Sequence, residues 1–442
     1  MSVDPTQSEG RGKIHFVEIL TVDIDGVLKG MTVPISPVDS VTPLQKGSTS
    51  VPDCGIDGSS VKGLESITTS DLRLKPDLNT LKELPNSYPR RAFVIADVFQ
   101  RSANGGLTPH PLAPRTILKR NTERLAAKGI QVRVKLEPEF YLLTEEGIPL
   151  DDAKYADIFP ENKGMDLLLE TALDLRAAGI ETAWLHSEHG ESQQEIELDF
   201  REISQAADNF TLFKLLVRRR AALYDLEVSF MPKPFQNEAG SGMHCHLQLW
   251  KGNQNILGNS DGTLTETGKY FVAGLLHHAP AITAIANPTI NSFKRLVPGF
   301  EAPVYITWGY LNRSALIRVP LFNTSTKAAI EFRSPDPLAN PYLLFSVLMG
   351  AGMDGIERQL QLSDPVTEDV YHLPSKRLTQ LKIQQLPDTL RGALHALMKD
   401  KVLCETLSQD FCNLYQKIRE AEWYQYTHGV ITDKEWEWYI HR

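Results

Sequence analysis

Apolar and polar residues alternate with a period of two in four separate stretches of the chain. In "VRVKLEPEF" (132–140), Val132, Val134 and Leu136 alternate with Arg133, Lys135, Glu137 and Glu139. In "QEIELDF" (194–200), Glu195, Glu197 and Asp199 oppose Ile196, Leu198 and Phe200, and just upstream His186 and Glu188 share a side. In "GSGMHCHLQLW" (240–250), His244, His246 and Gln248 oppose Met243, Cys245, Leu247 and Leu249, and in "AIEFR" (329–333) Glu331 and Arg333 oppose Ile330 and Phe332. Alternate residues of a strand point to opposite faces, so each stretch predicts a strand with one apolar and one polar face. Further β-rich runs lie at 14–34, around a turn at Asp25-Gly26, and in "RAFVIADVF" (91–99). Strand-like character extends over 131–140, 182–200, 227–231, 243–250 and 328–333. Apolar spacings of three and four, with proline starts and glycine stops, predict helices over 114–129, 165–179, 203–226 and 341–360. The final 60 residues also read as helical, with a role in packing between subunits. Helices grouped around strands that are not adjacent in sequence predict an α+β protein. The proline cluster in "TPHPLAPR" (108–115) places a domain boundary near 108.

Each polar strand face, taken alone, is compatible with ordinary solvent exposure. Taken together, the four concentrate Glu and His with a few Arg, where solvated faces usually carry Thr, Lys and Ser. On one curved sheet they would line an acidic pocket. Carboxylates with an imidazole suit Mg2+ or Mn2+ beside a nucleotide phosphate, and arginines suit phosphoryl oxygens. The pattern fits a two-metal phosphoryl-transfer site or a two-metal phosphoesterase.

The 442 residues allow two or three domains, and 42% hydrophobic with 23% charged residues is an ordinary globular composition. A net charge of -9 argues against a nucleic-acid partner, and the basic run "VRRR" (217–220) reads as a solvated helix face. The four cysteines, Cys54, Cys245, Cys404 and Cys412, form no C-x-x-C motif and read as buried or free thiols. The polar start "MSVDPTQSEGRGK" and the absence of a long apolar run predict a cytoplasmic protein with no membrane partner. No phosphate-binding Walker run, nucleophile elbow, H-E-x-x-H or dinucleotide glycine fingerprint occurs in the right context.

Seven segments, in order, resemble the glutamine synthetase family: "DGSSVKGLESITTSDLRLKPD" (57–77), "EPEF" (137–140), "HSEHGESQQEIEL" (186–198), "GSGMHCHLQLW", "NPTINSFKRLVPGFEAP" (287–303), "NRSALIRVP" (312–320) and "EFRSPDPLANPYL" (331–343). The resemblance implies a small N-terminal β-grasp-like domain over residues 1–108. It also implies a catalytic domain over 109–442, in which helices surround a curved antiparallel sheet lining the active site. It implies an ATP-dependent ligase that makes glutamine from glutamate and ammonium through γ-glutamyl phosphate, with two or more Mg2+ or Mn2+ ions per site. Position by position, one metal falls to Glu139, Glu188 and Glu195 and a second to Glu137, His244 and Glu331. His246, Arg313 and Arg318 fall at the ATP phosphates, with Arg313 also against the transferring phosphoryl group. Arg295, Arg333 and Gly240 fall at glutamate, Tyr155 at ammonium, and Asp57 and Glu301 match the carboxylates that deprotonate ammonium and close the site. Two face-to-face rings of six subunits are implied, with each site shared between neighbours.

Two departures stand out. Ala239 replaces an asparagine expected at glutamate, and Ala329 replaces an arginine expected near ATP; Gln248 and Thr69 also differ from the common residues. The departures leave open a relative that joins glutamate to a primary amine or polyamine, and a non-catalytic paralogue. Tyr371, near where some relatives carry a nucleotidylated tyrosine, sits among poorly matching neighbours and reads as an ordinary tyrosine.

Overall fold

The computed structural model of the protein describes residues 12–65, 69–102, 104–158, 160–298 and 302–440, and it begins with the expected hairpin. Asp23 fixes the turn by accepting hydrogen bonds at Oδ1 from the Asp25 and Val27 amides, both at 2.9 Å. Gly26 supplies the positive φ, +73°, that the turn requires.

Seven strands make the N-terminal sheet: β1 (Ile14–Val22), β2 (Leu28–Val38), β3 (Cys54–Asp57), β4 (Asp71–Pro76), β5 (Lys82–Glu83), β6 (Arg91–Arg101) and β7 (Leu107–Pro109). Their order is β2-β1-β6-β4-β3, with β5 and β7 also on β6. β1 and β6 run parallel, in a register that sets Val17 opposite Ala92 and Ile19 opposite Val94. Their period of two divides the apolar side chains between two cores. Val17, Ile19, Ala92, Val94, Ala96 and Val98 pack with Leu72 and Leu74 in a core of the N-terminal unit. Leu20, Val22, Phe93 and Ile95 instead join the main core. A buried cation reinforces the joint: Arg115 bonds Asp208 at 2.8 and 3.0 Å, Asp97 at 2.6 Å and Asp77 at 2.8 Å.

Nine strands make the second sheet: β8 (Ile130–Leu143), β9 (Thr182–Ser187), β10 (Gln193–Glu202), β11 (Glu227–Ser229), β12 (Met243–Lys251), β13 (Gln254–Asn255), β14 (Trp308–Tyr310), β15 (Ile317–Val319) and β16 (Ile330–Phe332). The order is β14-β15-β16-β12-β8-β10-β9, with β11 on β8 and β13 on β12. The sheet is curved and its pairs are antiparallel except at one end, where β14 runs parallel to β15. The apolar faces of β8, β10, β12 and β16, among them Val134, Leu136, Ile196, Cys245, Leu247 and Ile330, are buried against the helices.

The predicted helices form at Pro114–Ala127, Met165–Ala177, Ile203–Ala222 and Pro341–Arg358, and the C-terminal region is helical. Three differences from the sequence reading matter. The stretch 182–200 is a hairpin of β9 and β10, because the chain turns at Glu188–Ser192: Ser192 has φ +57°, and a Cβ on Gly190 would overlap the Tyr141 hydroxyl. A further helix, Glu266–Ala286, is capped by the Thr265 side chain on Gly268 N at 2.9 Å and carries Pro280 inside it. The "VRRR" run is less solvated than expected: Val217 is buried, and Arg220 pairs with Glu170 at 2.6 Å and Asp174 at 2.7 Å. All four cysteines are buried and free. Among the described residues, no helix is long and apolar enough to cross a membrane.

Candidate active site

Strand register assembles two rows of polar side chains on the open face of the second sheet. Across β9, β10 and β8, His186 lies opposite Glu195, and Glu195 opposite Glu139. Across β8, β12, β16 and β15, Glu137 lies opposite His244, His246 opposite Glu331, and Glu331 opposite Arg318. Like charges placed directly opposite one another destabilise a sheet, so the Glu139–Glu195 pairing favours protonation of these groups or a neighbouring cation.

A cavity of about 380 Å3 opens over both rows, lined mainly by acidic, histidine and arginine side chains. Its walls bring together twelve of the predicted residues: Glu137, Glu139, Tyr155, Glu188, Glu195, Gly240, His244, Arg295, Arg313, Arg318, Glu331 and Arg333. His246 stands just behind, its Nε2 2.8 Å from Glu137 Oε1. Asp57 is elsewhere, in a groove of the N-terminal unit with Lys29, Arg73 and Arg101. There it accepts hydrogen bonds from Ser59 N and from the Ser59 and Ser60 hydroxyls at 2.7–3.0 Å, which hold its pKa below the ordinary value. Glu301 lies outside the described residues.

Among the described residues, two groups have donor atoms within 4.8 Å of one another, Glu137–His244–Glu331 and His186–Glu188–Glu195. The first matches the metal set implied by the sequence. In the second, His186 stands where Glu139 was expected, while the Glu139 carboxylate accepts bonds from Gly242 N at 2.9 Å and Gln193 Nε2 at 3.0 Å. His186 is the residue that sequence reasoning left without a role. Its signal was the spacing His186-x-Glu188 on one strand face.

The two groups differ electrostatically. Burial raises the Glu331 pKa, but Arg333, His246, His244 and Arg318 outweigh it and hold the group at about 2. The contacts are an Arg333 bond at 2.6 Å and a close ion pair from Arg318 Nε. Glu137 is likewise held well below the usual range: burial opposes ionisation, but His246, His244 and Lys135 favour it. Burial, aided by Arg333, pushes His244 down to about 4, leaving a neutral imidazole able to bind a cation. On the other side burial, reinforced by neighbouring carboxylates, raises Glu139 well above normal and Glu195 to about 7. The hydrogen bond to Glu195 raises His186 to about 9. An imidazolium thus stands among the carboxylates of the second group.

A glycine and a short helix shape the end of the cavity that holds Arg295. Arg295, in the helix Ser292–Arg295, is buried and donates to the Ser334 carbonyl at 2.7 Å. A Cβ on Gly240 would come within 2.6 Å of Arg295 Cγ and 2.7 Å of the Pro232 carbonyl. Ala239 lines the cavity, and its carbonyl accepts from Tyr141 Oη at 2.6 Å. Ala329 is buried beside β16. Gln248 is held by Trp250 Nε1 at 3.0 Å. Tyr371 packs with Leu296, Val304 and Tyr305, in keeping with an ordinary packing tyrosine.

Residues 13–101 match the family described as "Glutamine synthetase, beta-Grasp domain", and residues 111–439 match "Glutamine synthetase, catalytic domain". The chain is 42% identical over 425 residues to glutamine synthetase of Pyrococcus horikoshii, covering 95% of this chain and 92% of that protein. It is 37% identical over 439 residues to glutamine synthetase of Thermus thermophilus, covering 96% and 95%. Among solved structures, a GmaS/ADP complex superposes with a TM-score of 0.86 at 28% identity over the full length of both chains. The Plasmodium falciparum glutamine synthetase shares the fold, with a TM-score of 0.82 at 24% identity over 98% and 97% of the chains. With both domains matched in order and the acidic rows set by their strands, this chain belongs to the glutamine synthetase family of carbon–nitrogen ligases.

Proposed function

We propose that the protein forms L-glutamine from L-glutamate and ammonium at the expense of ATP. The observation that carries this reading is the cavity itself, in which two carboxylate–histidine groups adjoin four arginines. The family uses ATP and divalent metal ions, and these donor sets fit Mg2+ or Mn2+, since oxygen donors with one imidazole suit hard divalent cations. Glu137, His244 and Glu331 would hold one ion, and Glu188 and Glu195, with Glu139 or His186, the other. Such ions supply charge neutralisation for phosphoryl transfer.

A carboxylate is a poor electrophile, so the glutamate γ-carboxylate oxygen first attacks the ATP γ-phosphorus. The bond to the β–γ bridging oxygen breaks, and ADP leaves. Arg313 and Arg318 neutralise the phosphoryl oxygens, with His246 beside them. Arg295 and Arg333 bind glutamate against the wall left open by Gly240. Ammonia then attacks the acyl carbon, the C–O bond to phosphate breaks, and the nitrogen sheds its extra proton. Asp57, held ionised by its serine partners, is the base for ammonium. Because Asp57 lies in a separate groove, a neighbouring subunit would deliver it, in a double ring of six subunits each, in the cytoplasm. Glu301 would help deprotonation and close the site over the acyl phosphate.

The test is ADP release by the purified protein with ATP, Mg2+ and glutamate, comparing ammonium, primary amines and no nucleophile. Turnover strongest with ammonium supports the reading. Turnover only with an amine moves the protein to the γ-glutamyl-amine ligases, a reading that the losses at Ala239 and Ala329 favour.

A further inference from the structure

One buried carboxyl group close to the cavity has no part in the chemistry above. Asp336, in the loop between β16 and the helix Pro341–Arg358, is fully buried. Burial pushes it up to about 6, against the opposing effects of Arg295 and of hydrogen bonds from Ser292, Asn287 and Leu338. Both its oxygens are committed as acceptors. Oδ1 accepts from Leu338 N at 3.1 Å and Oδ2 from Asn287 Nδ2 at 3.1 Å, while the Asp336 amide donates to the Ala286 carbonyl at 3.1 Å.

These bonds lead to Arg295 by two routes. The same Asn287 Nδ2 donates to the Ser334 carbonyl at 2.7 Å, and that carbonyl also accepts from Arg295 Nη1 at 2.7 Å. Ser292, which bonds the Asp336 carboxylate, opens the four-residue helix that Arg295 closes. The guanidinium is thus held through the carbonyl it donates to and through the helix that carries it. Two acids attract it, Glu139 from the cavity wall and Asp336 from the buried loop. Its Nη2 already lies toward Glu139: a Cβ on Gly242 would come within 2.6 Å of that nitrogen and 3.1 Å of Glu139 Oε1. Loosening the hold on the buried side lets the guanidinium move onto Glu139.

We propose that Asp336 is the positioning residue for Arg295, holding the guanidinium, through Asn287 and Ser292, where it receives the carboxylate of an anionic substrate. The inference rests on the ligase reading above, in which Arg295 binds glutamate, and adds the buried group that keeps Arg295 in place. An amide cannot take over this role. A carboxylate accepts on both oxygens, whereas Asp336→Asn would turn an NH2 toward Leu338 N or Asn287 Nδ2 and lose one of the accepted bonds.

Steady-state ADP release should be measured at varied glutamate and at varied ATP for the wild type, Asp336→Asn, Arg295→Lys and the double variant, with the Tm of each. The expected result is that Asp336→Asn raises KM for glutamate about tenfold or more and leaves KM for ATP within about twofold. In the Arg295→Lys background the same substitution should change KM for glutamate by less than about twofold, because the group through which it acts is already gone. A purely structural role would lower Tm, raise both KM values alike and add to the effect of Arg295→Lys. Ser292→Ala cuts only the route through the short helix; if Asp336→Asn does not fold, its cycle with Arg295→Lys carries the same expectation. An unchanged KM for glutamate, equal rises for glutamate and ATP, or full additivity with Arg295→Lys overturns the inference and leaves the ligase reading standing. No glutamate-dependent ADP release from wild type overturns both.

Discussion

Metal binding to the two ligand groups should respond differently to pH, and the difference can be worked from the side chains. In the first group Glu331 sits at about 2, Glu137 well below its usual range and His244 at about 4. All three are therefore in their ligand form throughout pH 6–8, and affinity there should change less than about twofold. In the second group Glu195 titrates at about 7, so roughly one tenth is ionised at pH 6 and nine tenths at pH 8. That group alone should strengthen binding about tenfold over the interval, near 1.4 kcal/mol. Glu139, also raised, and the His186 imidazolium, raised to about 9, steepen the response in the same direction, since the cation must displace their protons or charge. The assay is calorimetric titration of Mn2+ or Mg2+ into chelator-treated protein at pH 6, 7 and 8, in buffers of different ionisation enthalpy. Two classes of site are expected, with about half a proton or more released by the second at pH 7. Glu195→Gln should weaken the second class and flatten its pH response. Two sites with the same pH slope, or no proton release at pH 7, would refute the assignment of these ionisation states.

Three further outcomes follow from particular contacts. Glu139, Glu195, His186 and His278 all have folded pKa values raised above normal, His278 by its bonds to Asp400 at 2.5 Å and Asp354 at 3.0 Å against the opposing effect of burial. Each stabilises most below its unfolded pKa and loses that contribution as pH rises through the folded value. Metal-free protein should therefore lose thermal stability in two overlapping steps, from about pH 4.5 to 7 through Glu195 and from about pH 6.5 to 9 through His186, and metal should remove much of the loss; a metal-free Tm that rises from pH 7 to 9 would contradict the His186 step. Gly240→Ala should drive the Arg295 side chain from its place and raise KM for glutamate about tenfold or more, read by steady-state kinetics; unchanged KM would show that Arg295 does not bind that substrate. Arg115→Ala should leave Asp208 buried without its cation and destabilise the joint between the N-terminal unit and the main core by about 3–5 kcal/mol, measured by denaturant unfolding. A loss below about 1 kcal/mol would mean that Lys119, which already pairs with Asp97 at 2.5 Å and Asp77 at 3.4 Å, suffices.

The sequence alone determined the chemistry of each strand. Period-two alternation in β8, β10, β12 and β16 dictates which side chains share a face, because successive residues of any strand point to opposite sides. It therefore placed Glu137 with Glu139 and His244 with His246 before any neighbour was known, and motif order identified the family. The helix Glu266–Ala286 was not legible, since Pro280 inside it breaks the local signal and only burial of its apolar side chains against the main core sustains it. The hairpin between β9 and β10 was likewise hidden, because the need for Gly190 comes from Tyr141, nearly fifty residues earlier. Which strands lie side by side, and in what register, is a property of pairing rather than of any one segment. That pairing set His186 opposite Glu195, brought it into the second ligand group with Glu188, and shifted the ionisation of Glu137, Glu139, Glu195 and Glu331. It also left Asp57 in a groove of its own, because β3, which carries it, packs on the core of the N-terminal unit while the acidic rows stand on the second sheet.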